Sequence, residues 1–204
     1  MRTLPIRLAA ALGALALLGA TQPASAAASR KAVFAGGCFW GVSAVFERVR
    51  GVTNVVSGFA GGSAATAHYD QTSTGTTGHA ESVEVTFDPS RVSYEQLLEV
   101  FFMVAHDPTQ LNRQGPDEGT QYRSAIFYVD DAQRRAAQAE IAHLSAVHAF
   151  HAPIVTQVVP LRGFYAAEAY HQHYFDHHPD EPYIVINDAP KVKALREKFP
   201  QLSS

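Results

Sequence analysis

The sequence predicts an α+β fold, a two-layer sandwich with a βαββαβ core extended by C-terminal helices and long functional loops. Two observations carry this expectation. Segments with apolar residues at every second position alternate with segments at helical spacing, and their order is strand, helix, strand, strand, helix, strand. Two intervening stretches, 61–80 and 107–122, are too long for simple connectors and rich in Gly, Thr, Asn, Asp and Pro.

Each element follows in turn. Ala32 to Ala35 is a short apolar run closed by Gly36-Gly37, a strand and a tight turn. Val42, Val45, Phe46 and Val49 then recur at helical spacing until Gly51. Val52 to Phe59 is β-branched and ends at Gly61-Gly62, and Val83, Val85 and Phe87 alternate with polar residues until Asp88-Pro89, so both predict strands. Ser93 with Gln96 three residues on is a capping box, opening a helix whose Leu97, Leu98, Phe101 and Phe102 face the core. Ser124 to Val129 predicts the next strand. This is the split βαβ, ferredoxin-like order, with two helices on one face of a sheet. Beyond it we expect a helix over 131–150, a strand over 154–161, and helices over 164–178 and 191–199.

The 204 residues, 47% hydrophobic and 17% charged, suffice for one core and are few for two. A net charge of −3 without a basic block argues against a nucleic-acid or polybasic membrane surface. Residues 1–26 predict a cleaved signal peptide: Arg2 and Arg7, an uncharged run from Leu8 to Ala20, then Ala24-Ser25-Ala26. As a helix that run would cover about 20 Å of a hydrocarbon core about 30 Å thick, which favours cleavage over anchoring. The expectation is an exported protein, periplasmic or extracellular, with residues 27–204 as a single domain and no stable membrane association.

Export makes the single cysteine, Cys38, informative, because exported domains that use cysteine for stability use it in pairs. With one cysteine, neither an intrachain disulfide nor a multi-cysteine metal site can form. Cys38 follows Gly36-Gly37 at a helix start, where backbone N–H groups and the helix dipole favour a thiolate. Phe39 and Trp40, the only tryptophan, follow it and read as an aromatic wall. Glu81 shares strand parity with Val83, Val85 and Phe87, which aims a carboxyl at the apolar face, where desolvation prepares a general acid. Tyr69 and Tyr122, in the two long stretches, offer phenolic donors. Bland readings stand beside these: an inert buried thiol, a solvated or ion-paired glutamate, ordinary packed tyrosines.

Five ordered motifs together resemble the type A peptide methionine sulfoxide reductases: Gly37-Cys38-Phe39-Trp40-Gly41, Gly58-Phe59-Ala60-Gly61-Gly62, Gly78-His79-Ala80-Glu81, His106-Asp107-Pro108-Thr109 and Gly119-Thr120-Gln121-Tyr122-Arg123-Ser124. The resemblance runs from about Lys31 to Phe199. It implies reduction of methionine-S-sulfoxide, free or in peptides and oxidised proteins, with Cys38 as nucleophile and Glu81 as the acid on the sulfoxide oxygen. It further implies Tyr69 and Tyr122 as hydrogen-bond donors, Phe39 and Trp40 as the wall for the S-methyl group, and Asp117 as a contact to the substrate backbone. No metal and no organic cofactor is implied; an external thiol, small or thioredoxin-like, must regenerate Cys38. Two departures stand out. Phe59 lies where tyrosine is common, and 178–188 lacks the cysteine that some members use to resolve the sulfenic acid.

Three rivals remain open at this stage. His171, His173, His177 and His178 with Asp176 and Asp180 are rich in metal-ligand chemistry, and His173 and His177 are four apart. Cys38 with His79 or His106 as base would be a cysteine hydrolase or acyltransferase. A thiol-dependent binding module is the non-enzymatic alternative.

Overall fold

The computed structural model describes residues 28–204, so the leader expected over 1–26 lies outside the described residues. The chain is mixed α/β around a six-stranded sheet, with elements β1 (Arg30–Gly36), α1 (Phe39–Glu47), β2 (Val52–Ala60), α2 (Tyr69–Thr72), β3 (Ala80–Phe87), α3 (Tyr94–Val100), β4 (Arg113–Gln114), β5 (Asp117–Glu118), β6 (Ser124–Tyr128), α4 (Asp131–Ala146), β7 (Gln157–Pro160), β8 (Phe164–Ala166), α5 (Tyr174–His177) and α6 (Ala189–Lys198). The strand order is β7-β6-β1-β3-β2-β8, with β4 and β5 forming a separate small hairpin. Along β6-β1-β3-β2 each strand is antiparallel to its neighbour, and β7 joins β6 in parallel. No described helix is long and apolar enough to cross a membrane.

Strand alternation decides what each sheet face buries. Phe34 of β1 turns to the helical face, where its ring stacks 5.1 Å from Phe46, 6.1 Å from Tyr94 and 4.9 Å from Phe101. Its neighbours Val33 and Ala35 point the other way, into a smaller cluster with Ala60, Ala80, Ala125 and Phe127. Truncating a wholly buried ring such as Phe34 to alanine costs about 3–5 kcal/mol, because surrounding rings do not collapse into the void. The capping box forms as expected: Ser93 Oγ accepts from the Gln96 N–H at 3.2 Å, and Gln96 Oε1 accepts from the Ser93 N–H at 2.9 Å. α3 then continues into a π-helical turn, Phe101–Ala105, which buries Phe101 and Phe102 against the sheet.

The C-terminal half corrects several expectations. The helix expected over 131–150 stops at Ala146. His148 adopts a left-handed φ of 52°, the Ala149 N–H reaches back to Leu144 O and the His148 N–H to Ser145 O, a Schellman end without its usual glycine. The strand expected over 154–161 is shorter, Gln157–Pro160. The helix expected over 164–178 does not form as one element. Phe164–Ala166 instead pairs antiparallel with the β2 edge, and Gln172 bonds both the N–H and the C=O of Ser57. An unpaired sheet edge outcompeted helix propensity there, because its backbone groups had to be satisfied. The helix expected over 191–199 starts earlier, at Ala189.

Both long stretches are ordered, largely by each other. Thr120 Oγ1 donates to Gly75 O at 2.6 Å, Gln121 Nε2 to Ser73 O at 3.2 Å, and Arg123 to the carbonyls of Gly78 and His79. These contacts bring the Tyr69 and Tyr122 segments to the C-terminal end of β1, where the chain turns into α1.

Candidate active site

β1 ends at Gly36, the chain turns at Gly37 with φ +91°, and Cys38 forms the N-cap of α1. Glycine is required at 37 twice over: for that φ, and because a Cβ would lie 2.5 Å from Gln114 Cβ. Cys38 is 7% exposed. It lines a narrow cleft of about 60 Å³ with Gln114, Asp117, Tyr183, Asn187 and Lys191.

Glu81 sits near the start of β3, on the same face as Val83, Val85 and Phe87, as its parity predicted. It pairs across the sheet with Phe59 and is 3% exposed. Its Oε2 accepts a 3.0 Å hydrogen bond from the Phe39 N–H, so the first free donor of α1 is spent on the carboxyl rather than on the thiol. Burial pushes Glu81 up to about 8 from an ordinary 4.5; the Phe39 bond opposes this and Asp117 adds to it. The carboxyl therefore holds its proton at neutral pH.

The thiolate expected at the helix N-terminus is corrected. Burial pushes Cys38 well above the ordinary thiol value, and nearby Glu81 and Asp188 push the same way. The Trp40 N–H on the sulfur and the Lys191 ammonium oppose them without prevailing. Desolvating an anion in so closed a place outweighs a helix end. The resting site thus pairs a protonated thiol with a protonated carboxyl.

The aromatic residues surround that pair. Phe39 is buried, with ring centroids 5.9 Å from Phe59 and 4.9 Å from His171. Trp40 is half-buried, its indole Nε1–H donates to His171 Nδ1 at 3.1 Å, and its ring stacks 3.7 Å from Tyr174 at an interplanar angle of 6°. Tyr183 meets it edge-on at 5.9 Å and donates its hydroxyl proton to Asp117. The phenols of Tyr69 and Tyr122 are both raised, first by burial and then by the proximity of Glu81, with Cys38 contributing to each. Cys38, Glu81, Tyr69, Tyr122, Phe39, Trp40 and Asp117, read from scattered parts of the sequence, thus belong to one site.

Several residues of this site escaped the sequence reading. Asp188 is wholly buried beside the first turn of α1, its Oδ1 bonded to Lys191 Nζ at 3.0 Å. A Cβ at Gly41 would lie 2.0 Å from that oxygen, so glycine at 41 makes room for Asp188. Tyr183 and Lys191 come from the far end of the chain and carry no periodicity that marks them. Tyr183 directly precedes a π-helical segment, Ile184–Asp188, that runs into α6 and so brings Tyr183, Asp188 and Lys191 together.

The rival chemistries lose their geometry. His79 hydrogen-bonds Gly62 N and Ser63 O, and His106 bonds Phe101 O and Ser124 Oγ, so neither serves Cys38 as base. Burial holds His106 down to about 4. His171 turns inward to Trp40 while His173 turns to Glu47, and among the described residues no three His, Cys, Asp or Glu side chains converge as a metal site.

Comparison with known proteins agrees with this geometry. A family model described as peptide methionine sulfoxide reductase matches residues 30–203. The chain is 54% identical to peptide methionine sulfoxide reductase MsrA 2 of Mesorhizobium japonicum over 88% of this chain and 92% of that protein. It is 50% identical to the Synechocystis protein of the same name over 86% and 82%. Among solved structures, methionine sulfoxide reductase A of Corynebacterium diphtheriae aligns with a TM-score of 0.64 at 36% identity, covering 78% of this chain and 77% of that one. Reduced Mxr1 from Saccharomyces cerevisiae aligns with a TM-score of 0.68 at 31% identity, covering 74% and 87%. On this evidence the chain belongs to the type A peptide methionine sulfoxide reductases, enzymes that return methionine sulfoxide to methionine.

Proposed function

We propose that the enzyme reduces the S epimer of methionine sulfoxide, in oxidised exported proteins, in peptides or as the free amino acid, with Cys38 as nucleophile and Glu81 as acid. The observation that carries this reading is the buried Glu81 carboxyl, held by the Phe39 N–H at 3.0 Å at the start of the helix that Cys38 caps. A sulfoxide offers a basic oxygen on a sulfur with two alkyl arms, and such a group needs an apolar wall and a proton source. Phe39 and Trp40 supply the wall for the S-methyl group; the phenols of Tyr69 and Tyr122 hydrogen-bond the oxygen; Asp117, fixed by Tyr183, contacts the substrate backbone.

Glu81 protonates the sulfoxide oxygen, which makes the sulfur electrophilic, and Cys38 gives up its own proton as it attacks. A sulfur–sulfur bond forms; the hydroxyl then passes from the substrate sulfur to Cys38 as the sulfur–oxygen bond and this new sulfur–sulfur bond both break. The products are methionine, reduced by two electrons, and a sulfenic acid at Cys38, oxidised by two. The thiol proton restores Glu81. An external thiolate then displaces the hydroxyl, which leaves as water with one proton, and a second thiol releases Cys38 as the thiol. With no other cysteine in the chain, both thiols come from outside, from a small thiol or a thioredoxin-like protein. No metal or organic cofactor takes part.

The antiparallel order β6-β1-β3-β2 with α1 and α3 as its crossovers supports a ferredoxin-like core beneath this site. The Arg2/Arg7, Leu8 to Ala20 and Ala24-Ser25-Ala26 pattern supports export after signal cleavage.

The deciding experiment is mass spectrometry of a peptide carrying one methionine sulfoxide epimer, after incubation with the protein and a thiol reductant. Loss of one oxygen from the S epimer alone is expected. Loss from the R epimer, or from neither, overturns the assignment.

A further inference from the structure

We infer that a double clasp between the far end of α1 and α5 sets the position of the Trp40 wall, which makes Glu47, Arg48, His173 and Asp176 positioning residues for substrate binding. This rests on the role given to Trp40 above.

α5 is one turn of four residues, too short to hold itself together. His173, immediately before it, adopts a left-handed φ of 52°, which a residue other than glycine keeps only where its surroundings enforce it. Those surroundings come from α1. His173 Nδ1 lies 2.9 Å from Glu47 Oε1, and the Arg48 guanidinium pairs with Asp176. The same guanidinium lies 4.7 Å from the Phe175 ring centroid and donates to Ala44 O at 3.0 Å, which fixes it to the helix. Tyr174, between the two gripped residues, carries the ring that stacks 3.7 Å from Trp40 and donates its hydroxyl proton to Glu181 at 2.7 Å. α1 therefore presents Trp40 and the thiol at its beginning and holds, at its end, the turn against which the indole rests.

A stability role alone accounts poorly for this arrangement. Glu47 Oε2 is buried without a hydrogen-bond partner, Arg48 Nη1 being 3.8 Å away, and burial pushes the Glu47 carboxyl up. A half-satisfied buried carboxyl is costly, and an apolar residue there would stabilise the fold more. Geometry retained at such a cost points to what it holds in place.

Trp40 is the only tryptophan, so its emission reports on the wall directly. The test compares wild type with Arg48→Met, which keeps the stem and removes the charge, with Arg48→Lys as rescue and with Lys31→Met, which breaks the remote Lys31–Glu84 pair. We expect Arg48→Met to red-shift Trp40 emission, increase its quenching by acrylamide and raise KM for a methionine sulfoxide peptide about three- to fivefold, the worth of one ion pair, with kcat changed less than about twofold. Arg48→Lys should lie close to wild type and Lys31→Met should change neither reading. If Arg48→Met does not fold, His173→Gln, whose side chain is 55% exposed, carries the same expectations. Unchanged emission or unchanged KM in a folded variant, or an equal response in Lys31→Met, overturns the inference. Emission is read without substrate, so a wild type that reduces no sulfoxide would defeat the proposed function while the fluorescence still decides the clasp.

Discussion

Replacing Glu81 with glutamine should slow catalysis and stabilise the fold, and the stabilisation should grow with pH. Glu81 takes up its proton at an ordinary 4.5 when the chain is unfolded and at about 8 in the folded protein. Between those values the folded state binds more protons than the unfolded one, so this group makes wild-type stability fall as pH rises through that window. The slope is about 1.4 kcal/mol per pH unit, which accumulates to roughly 5 kcal/mol by pH 8 and adds nothing above it. Glutamine has the shape of the protonated carboxyl, can still accept from the Phe39 N–H, and has no proton to lose. The stability difference, variant minus wild type, should therefore be small at pH 5, about 3 kcal/mol at pH 7 and largest above pH 8. Urea denaturation of both proteins, followed by circular dichroism at pH 5, 7 and 8.5, measures it, and other titrating groups cancel in the difference. On the same protein, the single-turnover rate of sulfoxide reduction should drop about 10²- to 10⁴-fold at neutral pH. The wild-type rate should also fall above pH 8, a limb the variant lacks. A stability difference that moves by less than about 1 kcal/mol across this range would refute the reasoning, because Glu81 would then not be a neutral acid in the fold.

Cys38→Ser should abolish sulfoxide reduction with the circular dichroism spectrum unchanged, since a hydroxyl cannot replace the thiol as nucleophile; turnover within about tenfold of wild type would contradict it. Gly41→Ala should destabilise by about 1–3 kcal/mol in urea denaturation although alanine is the better helix former, because the new methyl meets Asp188 Oδ1 at 2.0 Å. After one turnover without reductant, a sulfenic-acid probe should label Cys38 in proportion to the methionine released; methionine released without an oxidised Cys38 would require another electron source. Intact-mass measurement of exported protein should give an N-terminus at or near Ala27, and a retained leader would exclude cleavage there.

What the sequence determined by itself is the local part of this protein. Alternation fixed which face of β3 carries Glu81, the Ser93 and Gln96 spacing fixed the start of α3, and Gly36-Gly37 before Cys38 marked the turn that presents the thiol. These follow from short-range sterics and hydrogen bonding, which act within a few residues and leave a periodic trace. The family resemblance named the seven site residues because its motifs are contiguous words in the chain, which hold Cys38, Phe39, Trp40, Glu81 and Tyr122 and frame the two long stretches that hold Tyr69 and Asp117. Tertiary structure alone decided the rest. Phe164–Ala166 became a strand because the β2 edge was open, although its own spacing read as helix. Cys38 remains a thiol because Glu81, Asp188 and the packed rings, brought from distant segments, close it off from water, and desolvation depends on everything around a group rather than on its neighbours in sequence. Tyr183, Asp188 and Lys191 enter the site, and His173 and Asp176 grip α1, through contacts more than a hundred residues apart or between faces without a pattern, and such contacts exist only once the core has set the distances between elements.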